Sequence, residues 1–577
     1  ADQENRVAAV LSASPLPALA VPPTLHASLI ARLDRLGTAA KEMAQIGAVL
    51  GREFSYELIQ RVAQRSDAEL RAGLGQLADA GLLFCRGLAP QASYLFKHAL
   101  VQDAAYSTLL RGRRQELHAR VAAVLAQHFA DLIERQPEVL AHHLTAAGES
   151  ERAVDQWLKA GRLAAARSAH LEAIGHFGSG IAALTSMPEG ANRDRGEIEL
   201  QLAKGLSLLT LKGFTSTEAV EAYARAKDLC ERIADSDHLF VALWNLWMTT
   251  AVSNPVAARP LSSRLLTLTD AQQDSALRLE ALHSAWFTRF NAGEPLPARS
   301  HCDEGRRLYD FEQHRSLALF YGGHDPGVCA CNHGAFSEWL LGYPDAALAS
   351  SNNAVSLGER LAQPLSLDHS YFYQAALCIF RREPGLALRR ADDGETLAKE
   401  QRIALALNPH ILRGGGLLAQ GAVADALASI RAGTAVGGAG GSYLFQPYHL
   451  AVVAEVLGRA GEYDGAMAAL AEAHATIEAS SQRWWEAEIC RLKGVVLLSR
   501  RNLAESQQCF EQAIGIARQQ QAKSLELRAV TSLARLWGEQ GRRPEARELL
   551  APVYGWFTEG FETGDLKEAA ALLSELA

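Results

Sequence analysis

The sequence predicts a mostly α-helical protein in which a small domain of short helices and two strands precedes a long array of helix pairs. Three observations favour this architecture. A chain of 577 residues is too long for one ordinary core, so several domains or a repeat array are expected. Within residues 94–110, YLFKHALVQDAAYSTLL, a short β-type run changes to apolar steps of three and four, so a strand leads directly into an amphipathic helix. From residue 115 onward the sequence is almost continuously helical, and small residues recur at regular intervals.

Composition and charge restrict the function classes. The apolar fraction of 48% supports a large folded core, while a net charge of -8 argues against a protein that binds nucleic acid through bulk positive charge. Eight cysteines are scattered along the chain, which favours reduced, mostly buried thiols in a cytoplasmic protein. A run of about 18 apolar residues is missing, so we expect neither a membrane span nor a signal peptide. Because the chain starts at Ala1 rather than at Met, we expect a fragment.

The N-terminal part is expected to hold a tail and one small module. Residues 1–24 form the tail or linker, because SASPLPALAVPP is too rich in proline for a helix. Residues 25–114 form the module, in which the capping pair Ser66 and Glu69 opens one helix. Its predicted elements are helices at about residues 25–37, 39–50, 55–64 and 67–81 and strands at 82–86 and 93–96. Three short helices followed by a two-stranded wing are the winged-helix pattern.

Many winged helices bind DNA, and the charge of the third helix tests that alternative. The segment SDAELRAGLGQLADAG carries Asp67, Glu69 and Asp79 against Arg71 alone. A helix that enters a phosphate-lined groove is expected to show the opposite balance. The sequence therefore favours a joint between proteins or domains over a DNA-binding regulator.

Residues 321–577 carry a repeat with a period of about forty residues. The aligned small residues are Ala347, Ala387, Ala426, Ala466, Ser506 and Ala546. In four units a glycine lies five positions earlier, as Gly461 does before Ala466, while Arg501 takes that place in the fifth unit. Glycine permits the positive φ that ends a helix, and the small residue lets two helices approach closely. This packing is that of tetratricopeptide (TPR) repeats, with a HEAT-like array as the structural alternative.

The rest of the array is less regular. Residues 115–320 are expected to form irregular TPR-like repeats. The segment YGGHDPGV at residues 321–328 interrupts the helices, since its glycines and proline do not suit a regular helix. A flexible loop is predicted at residues 433–442, GTAVGGAGGS, and a capping helix is predicted to end the chain.

Several long segments resemble one bacterial family. They are FKHALVQDAAY with LLRGRRQELHARVA, YGGHDPGV with LGYPDAAL, and the region from RWWEAEICRLKG to SLARLWGEQGR. The family consists of large signalling proteins in which an N-terminal class III adenylate/guanylate cyclase domain precedes a STAND-type AAA ATPase and a TPR-like tail. From about residue 25 to its end, the chain is similar to the winged-helix and TPR-like region of these proteins.

The resemblance implies a regulatory role without catalysis. The sequence has no G-x-x-x-x-G-K-[ST] loop to cradle phosphates and nothing that matches the metal-binding aspartates of a cyclase. Both catalytic domains would then lie upstream, and ATP, ADP and Mg²⁺ would belong to them; no cofactor and no catalytic residue is expected in this chain. The favoured hypothesis is a scaffold that binds a protein or small effector on the concave face of the array and relays that event through the winged helix. The alternative is a part of a cyclase or ATPase whose activity resides outside these residues.

The resemblance also gives His98 a candidate role. In STAND ATPases a histidine of the winged-helix module commonly reaches the bound ADP, and FKHAL places His98 at the start of a helix behind a strand. An imidazole there could hydrogen-bond a β-phosphate with help from the helix dipole. The alternative is a histidine that satisfies a local backbone group. Gln102 and Asp103, one turn on, are candidate contacts to the ATPase domain or part of an exposed polar face.

Two further groups are candidates for partner binding. Arg111, Arg113 and Arg114 are predicted to end the helix, where they suit its negative dipole end and could bind phosphate or an acidic surface; a solvated helix end is the alternative. Trp484 and Trp485 open a repeat helix and could form an aromatic platform for a peptide. Adjacent helix positions diverge by about 100°, so one tryptophan is expected in the core and the other on the surface.

Metal binding is not predicted. Cys329, Cys331 and His333, with His324, place four metal-capable side chains within ten residues. On a helix, residues two apart point in different directions, so Cys329 and Cys331 cannot face one ion.

Overall fold

The computed structural model describes residues 23–214, 216–270, 274–319, 321–401, 409–436 and 445–577. The predicted tail at residues 1–24 and the predicted loop at residues 433–442 lie largely outside this part of the chain. The described residues divide into two compact units, those up to residue 207 (unit 1) and those from residue 208 onward (unit 2). Within the described ranges, no helix combines the length and the apolar character that a membrane span requires.

Unit 1 contains helices and one small sheet. Its elements are α1 (Pro23–Arg35), α2 (Thr38–Leu50), β1 (Glu53–Ser55), α3 (Tyr56–Ala63), α4 (Asp67–Asp79), β2 (Leu83–Arg86), β3 (Ser93–Phe96), α5 (Ala99–Ser107), α6 (Arg111–His128), α7 (Ala130–Arg135), α8 (Pro137–Ala147), α9 (Ser150–Ala166), α10 (His170–Leu184) and α11 (Ala191–Lys212), whose end passes into unit 2. The helices and the strand pair predicted between residues 25 and 96 are all present. Strand β1 was not predicted, because three residues are too few to show an alternating pattern.

The three strands form an antiparallel sheet in the order β1-β3-β2. Tyr94 in the central strand lies opposite Phe54 on one side and Cys85 on the other. Helix α2 packs close to this sheet at Gly47, since a Cβ there would lie 2.7 Å from Cζ of Phe54. A glycine is therefore required at this helix position for the strand to dock. The predicted capping box at the start of α4 is confirmed, with Ser66 and Glu69 each accepting the other's backbone N–H.

The core of unit 1 does not stop at the predicted boundary between residues 114 and 115. Leu117 and Leu125 of α6 and Leu144 of α8 belong to the same buried cluster as Leu74 and Phe96 of the preceding module. The module and the first helices of the array thus share one core. The division into units 1 and 2 therefore differs from the predicted segments 25–114, 115–320 and 321–577. The reason is that helix packing continues across both predicted boundaries.

Unit 2 is an array of antiparallel helix pairs. Its elements are α12 (Thr217–Ile233), α13 (Ser236–Ser253), α14 (Pro255–Asp270), α15 (Ser275–Asn291), α16 (Pro295–Leu308), α17 (Phe311–His314), a 3₁₀ turn (Leu317–Leu319), α18 (Pro326–Leu340), α19 (Pro344–Leu361), α20 (Pro364–Arg381), α21 (Pro384–Gln401), α22 (Pro409–Ala419), α23 (Val423–Val436), α24 (Gln446–Arg459), α25 (Tyr463–Ser480), α26 (Glu486–Ser499), α27 (Leu503–Gln519), α28 (Lys523–Glu539), α29 (Arg543–Tyr554) and α30 (Gly564–Glu575). The predicted fold class, a mostly α-helical TPR-like solenoid, is confirmed.

The repeat positions recur with the same geometry. The six aligned small residues are each the fourth residue of a helix, from Ala347 in α19 to Ala546 in α29, and each is fully buried. The turn before each helix is also shared: Gly461 has φ 82°, and the next N–H, of Glu462, donates to the carbonyl of Leu457. Arg501 takes the same conformation with φ 63°. The positive φ and this hydrogen bond together end one helix and let the next helix run back along it.

One repeat turn had no sequence prediction. Gly293, with φ 79°, precedes α16, and Ala298 is the fourth residue of that helix and fully buried. The segment predicted to form irregular repeats therefore contains the same turn. Its spacing to Ala347 is longer than one period, because the short helix α17 and the 3₁₀ turn are inserted between the two units.

Candidate functional site

His98 lies at the junction between the sheet and the helices of unit 1. It is the N-cap residue of α5, with φ -136° and ψ 141°, and it follows the last strand by two residues. The predicted position of His98, at the start of a helix that follows a strand, is therefore confirmed. The side chain is exposed, and among the described residues its imidazole gives the helix no capping hydrogen bond. The imidazole is thus available to a group outside the described chain, and its role toward ADP stays a prediction.

The hairpin that precedes this histidine exposes apolar side chains. Phe84 of β2 is 48% exposed, and Nζ of Lys97 lies 5.4 Å from the centre of its ring. Leu88, in the turn between β2 and β3, is 86% exposed. A cation next to an exposed aromatic ring and an exposed leucine is typical of a surface that contacts another protein or domain.

The middle of α5 is held by the module itself. Gln102 donates from Nε2 to the carbonyl of Ala48 in α2, over 3.2 Å. Its amide is therefore a contact within unit 1, which differs from the predicted exposed polar face. Asp103 is exposed, as expected for that face.

The last turn of α5 is bonded to two helices of the array. The Tyr106 hydroxyl lies 2.9 Å from Nε2 of His118 in α6, and Nδ1 of His118 lies 2.9 Å from Nδ1 of His143 in α8. Burial lowers the pKa of His118 to about 4, helped by the nearby charges of His142 and Arg114. Burial likewise lowers the pKa of His143 to about 3. Both rings are neutral at pH 7, so the three groups form a chain of hydrogen bonds that all run in one direction.

The arginine cluster has a different place from the one predicted. Arg111 begins α6 instead of ending α5, because the turn at residues 107–110 contains neither Gly nor Pro and gave no sequence signal. Arg114 nevertheless donates to the carbonyls of Tyr106 (3.4 Å) and Leu109 (3.3 Å) and lies 4.3 Å above the Tyr106 ring. Arg113 pairs with Glu116 over 2.8 Å. Arg113 and Arg114, two of the three arginines predicted to contact a partner, thus bind groups within unit 1. Arg111 is exposed.

Helix α4, the third helix of the predicted winged-helix pattern, does not carry the positive charge that DNA binding requires. Its single basic residue, Arg71, donates from Nε to Asp67 over 2.6 Å and lies above the Tyr56 ring. The structure thus supports the sequence argument against a DNA-binding role for α4.

The prediction for Trp484 and Trp485 is wrong, because both are buried, with 1% and 4% of their surfaces exposed. They lie in the turn before α26 and not in its first turn. The Trp485 ring stacks on Phe380 at 4.7 Å, and the Trp484 ring lies 5.0 Å from Phe290. An irregular turn directs both rings inward, so the helical argument for one exposed ring does not apply.

Aromatic side chains form a large part of the buried core of unit 2. The cluster, which we call the aromatic core, consists of Phe290, Phe336, Trp339, Phe372, Tyr373, Phe380, Phe445, Tyr448, Trp484 and Trp485. Helix α28 is joined to earlier helices, since Ser524 donates to the carbonyl of Trp339 over 2.5 Å and Arg528 donates to the carbonyl of Phe380 over 2.7 Å. The predicted use of the concave face of the array stays a prediction.

The cysteines and histidines of α18 are all buried. His333 is fully engaged, with Nδ1 3.2 Å from the carbonyl oxygen of Cys329 and Nε2 3.0 Å from the Tyr373 hydroxyl. Among the described residues, Cys331 does not join Cys329 in a group of possible metal ligands. His324 and Cys329 nevertheless approach each other and His283 of α15. Sequence analysis missed His283, because it lies more than one helix pair before the other two.

Unit 1 also has an open groove of about 670 Å³. It is lined by the turn after α8 and the start of α9, residues 148–152, and by the loop before α11 with the start of that helix, residues 186–193. The groove thus begins directly after α8, the helix that carries His143.

The fold defines the class of protein: the chain is a TPR-like helical-repeat protein. No family model matches its sequence. An uncharacterized protein of Rhizobium meliloti (strain 1021) is 26% identical over 520 residues, which cover 88% of this chain and 50% of that protein. The chain thus spans about half the length of this relative.

Solved structures with related helical repeats have low sequence identity and low TM-scores to this chain. A STAND protein with a tetratricopeptide repeat sensor from Pyrococcus horikoshii is 14% identical, covers 67% of this chain and 61% of its own, and has a TM-score of 0.33. A Rap protein complexed with Competence and Sporulation Factor is 14% identical, covers 66% of this chain and 99% of its own, and has a TM-score of 0.44. At these values the fold class follows from the helix pairs of the chain itself.

Proposed function

We propose that this chain is the non-catalytic regulatory part of a longer signalling protein, in which it passes an effector signal from the repeat array to an upstream STAND ATPase and nucleotidyl cyclase. The sequence resemblance to cyclase–ATPase–TPR proteins supports the proposal, and so does a relative that is about twice as long as the matched region. The helix–strand–helix–helix–strand–strand order of residues 38–96 supports a winged helix as the coupling module.

The observation that carries the proposal is the different environment of the two ends of α5. At its amino end, His98 is exposed, and so are Phe84 and Leu88 of the preceding hairpin. At its carboxyl end, Tyr106 is bonded to His118 and through it to His143 on α8. A movement of α8 would therefore be transmitted to the residue that faces outward. In the proposed assembly, His98 meets the ADP of the ATPase domain.

The relay works as a shift between two populations. In the resting state the winged helix holds the ADP-bound ATPase, and His98 contributes a contact to the nucleotide. An effector that binds the released arrangement more tightly shifts the equilibrium toward it, by no more than its difference in affinity for the two states.

A protein partner or a small effector binds outside the aromatic core in this proposal, because the core is buried. The groove at residues 148–152 and 186–193 is the favoured place in unit 1, since it begins at Gly148, directly after α8.

The test is the release of ADP from the longer protein that contains this chain. His98→Ala removes the imidazole contact, so we expect faster dissociation of bound ADP than in the parent. Dissociation is followed with a fluorescent ADP analogue chased by excess unlabelled nucleotide.

The matched control is His128→Ala, which removes another exposed histidine of unit 1 at the far end of α6. This variant is expected to release ADP at the parent rate. Equal rates for parent, His98→Ala and His128→Ala would remove His98 from the proposed relay.

A further inference from the structure

Three metal-binding side chains meet inside unit 2. His283 comes from α15, His324 from the loop before α18, and Cys329 from the first turns of α18. One possible ligand atom from each residue lies within 4.8 Å of the other two. His283 and Cys329 are fully buried, and His324 is partly buried. The three residues are 41 and 5 positions apart in sequence, so only the packing of α15 on α18 brings them together.

The interrupting segment YGGHDPGV explains how His324 and Cys329 come to face the same point. Gly322 and Gly323 both have positive φ, 71° and 77°, which turns the chain back toward α15 just before His324. Asp325 then caps α18 by accepting the backbone N–H three residues on, over 3.0 Å. Cys329 follows four residues after this cap, one turn into the helix. The loop and the cap thus fix both side chains relative to His283.

The hydrogen bonds of the two histidines leave the same nitrogen free in each ring. Nδ1 of His283 lies 3.0 Å from Oε2 of the buried Glu280, and Nδ1 of His324 lies 3.2 Å from the carbonyl oxygen of Gly322. Within the described part of the chain, Nε2 of both rings is buried and has no hydrogen-bond partner. Metal-binding histidines have this arrangement, in which a carboxylate or carbonyl holds the Nδ1–H and directs the Nε2 lone pair at the ion.

Leaving these atoms unpaired is costly. A buried polar atom without a partner destabilises a fold, because it has given up its hydrogen bonds to water. The two unpaired imidazole nitrogens belong to residues of one cluster of possible ligands, which points to a bound group that would engage both.

We propose that Nε2 of His283, Nε2 of His324 and Sγ of Cys329 bind one Zn²⁺ ion. Imidazole nitrogen and thiolate sulfur are the ligands that zinc prefers, and three protein ligands leave its fourth tetrahedral position to a water molecule or a small ligand. His333 is not a ligand, because its two nitrogens are already engaged by Cys329 and Tyr373.

The experiment uses the whole chain, stripped of metal with a chelator and then titrated with Co²⁺ as a spectroscopic probe. We expect one Co²⁺ per chain, with thiolate-to-cobalt charge-transfer absorption in the near ultraviolet and d–d bands of tetrahedral intensity. Zn²⁺ should displace the cobalt and raise the thermal midpoint of unfolding. Metal content after exhaustive dialysis is measured by mass spectrometry.

Variants locate the site. Cys329→Ser should abolish the charge-transfer absorption, and His324→Ala, at a partly exposed position, should lose stoichiometric binding while the helical circular dichroism is kept. Cys331→Ser is the matched control, since it changes another buried cysteine of the same helix and should bind one ion. Glu280→Gln, which alters only the group behind His283, should weaken Zn²⁺ binding about 10–100-fold. No charge-transfer absorption in the parent, or the same spectrum in Cys329→Ser as in Cys331→Ser, would overturn the proposal.

Discussion

Burial, more than neighbouring charge, determines the protonation of the interior histidines. Loss of hydration lowers the pKa of His118 to about 4 and of His143 to about 3, with smaller contributions from nearby cationic groups. The pKa of His283 is lowered to about 3 by burial alone. These rings are therefore neutral hydrogen-bonding groups near pH 7, which suits a relay between helices and leaves lone pairs for a metal ion.

Acid should weaken the link between α5 and the array. An unfolded histidine has a pKa of about 6.5, so between that value and the folded values the unfolded state binds more protons, and stability falls as the pH falls. From pH 7 to pH 5, each of His118 and His143 should cost about 2 kcal/mol of unfolding free energy. The measurement is amide hydrogen exchange in α6 and α8, corrected for the intrinsic effect of pH.

His143→Leu should reduce this loss, because it removes one of the two groups that must be protonated. His128→Leu, at an exposed position, should leave the loss unchanged. The same acid-dependent loss in His143→Leu as in the parent would show that the buried chain does not control the stability of these helices.

Single residues were predictable from sequence only where local pattern decides their place. His98 follows a strand and opens a helix, and both features are visible in neighbouring residues. Trp484 and Trp485 were misplaced, because an irregular turn and contacts with Phe380 and Phe290 set their direction. His283 was missed for a similar reason, since its neighbours in space are distant in sequence.

At the scale of elements, the helix pairs are built on one repeated contact. A small residue at the fourth position of a helix lets the preceding helix approach, and a residue with positive φ makes the turn between them. Arg501 shows that the conformation is required even where the sequence does not supply a glycine. A side chain larger than alanine or serine at this position should force the two helices apart.

Ala466→Leu tests that contact. Ala466 is fully buried in α25, so three added carbon atoms should overpack the junction and lower the free energy of unfolding by about 1–3 kcal/mol. Ala468→Leu makes the same change at an exposed position of the same helix and should have little effect. Urea unfolding of both variants gives the comparison, and equal stability of Ala466→Leu and the parent would contradict the close-approach packing.

Elements with strong periodicity were predicted nearly to their ends, including the capping box of α4 and both hairpin strands. The errors fall where local signals are weak or ambiguous. Strand β1 is too short for a pattern, and Arg111, Arg113 and Arg114 were assigned to the end of a helix although α6 begins at Arg111. Helix and strand assignments were thus reliable where apolar spacing extends over several turns.

At the scale of the whole molecule, the contacts that decide which surfaces are free join segments far apart in sequence. Ser524 reaches the carbonyl of Trp339, and Arg528 reaches that of Phe380, so late helices of unit 2 contact earlier ones directly. Repeat spacing predicts the helix pairs but gives no information on these contacts. Partner binding on the repeat array stays a prediction, and the groove and the exposed apolar residues of unit 1 are further candidate surfaces.

The central claim, that this chain regulates chemistry performed by other domains, is tested most directly by turnover. ATP hydrolysis and cyclic nucleotide formation are measured for the chain alone and for the longer protein that contains it, at equal molar concentration. We expect no turnover from the chain alone and turnover from the longer protein. Turnover by the chain alone that is abolished by a substitution within its own residues would contradict the claim.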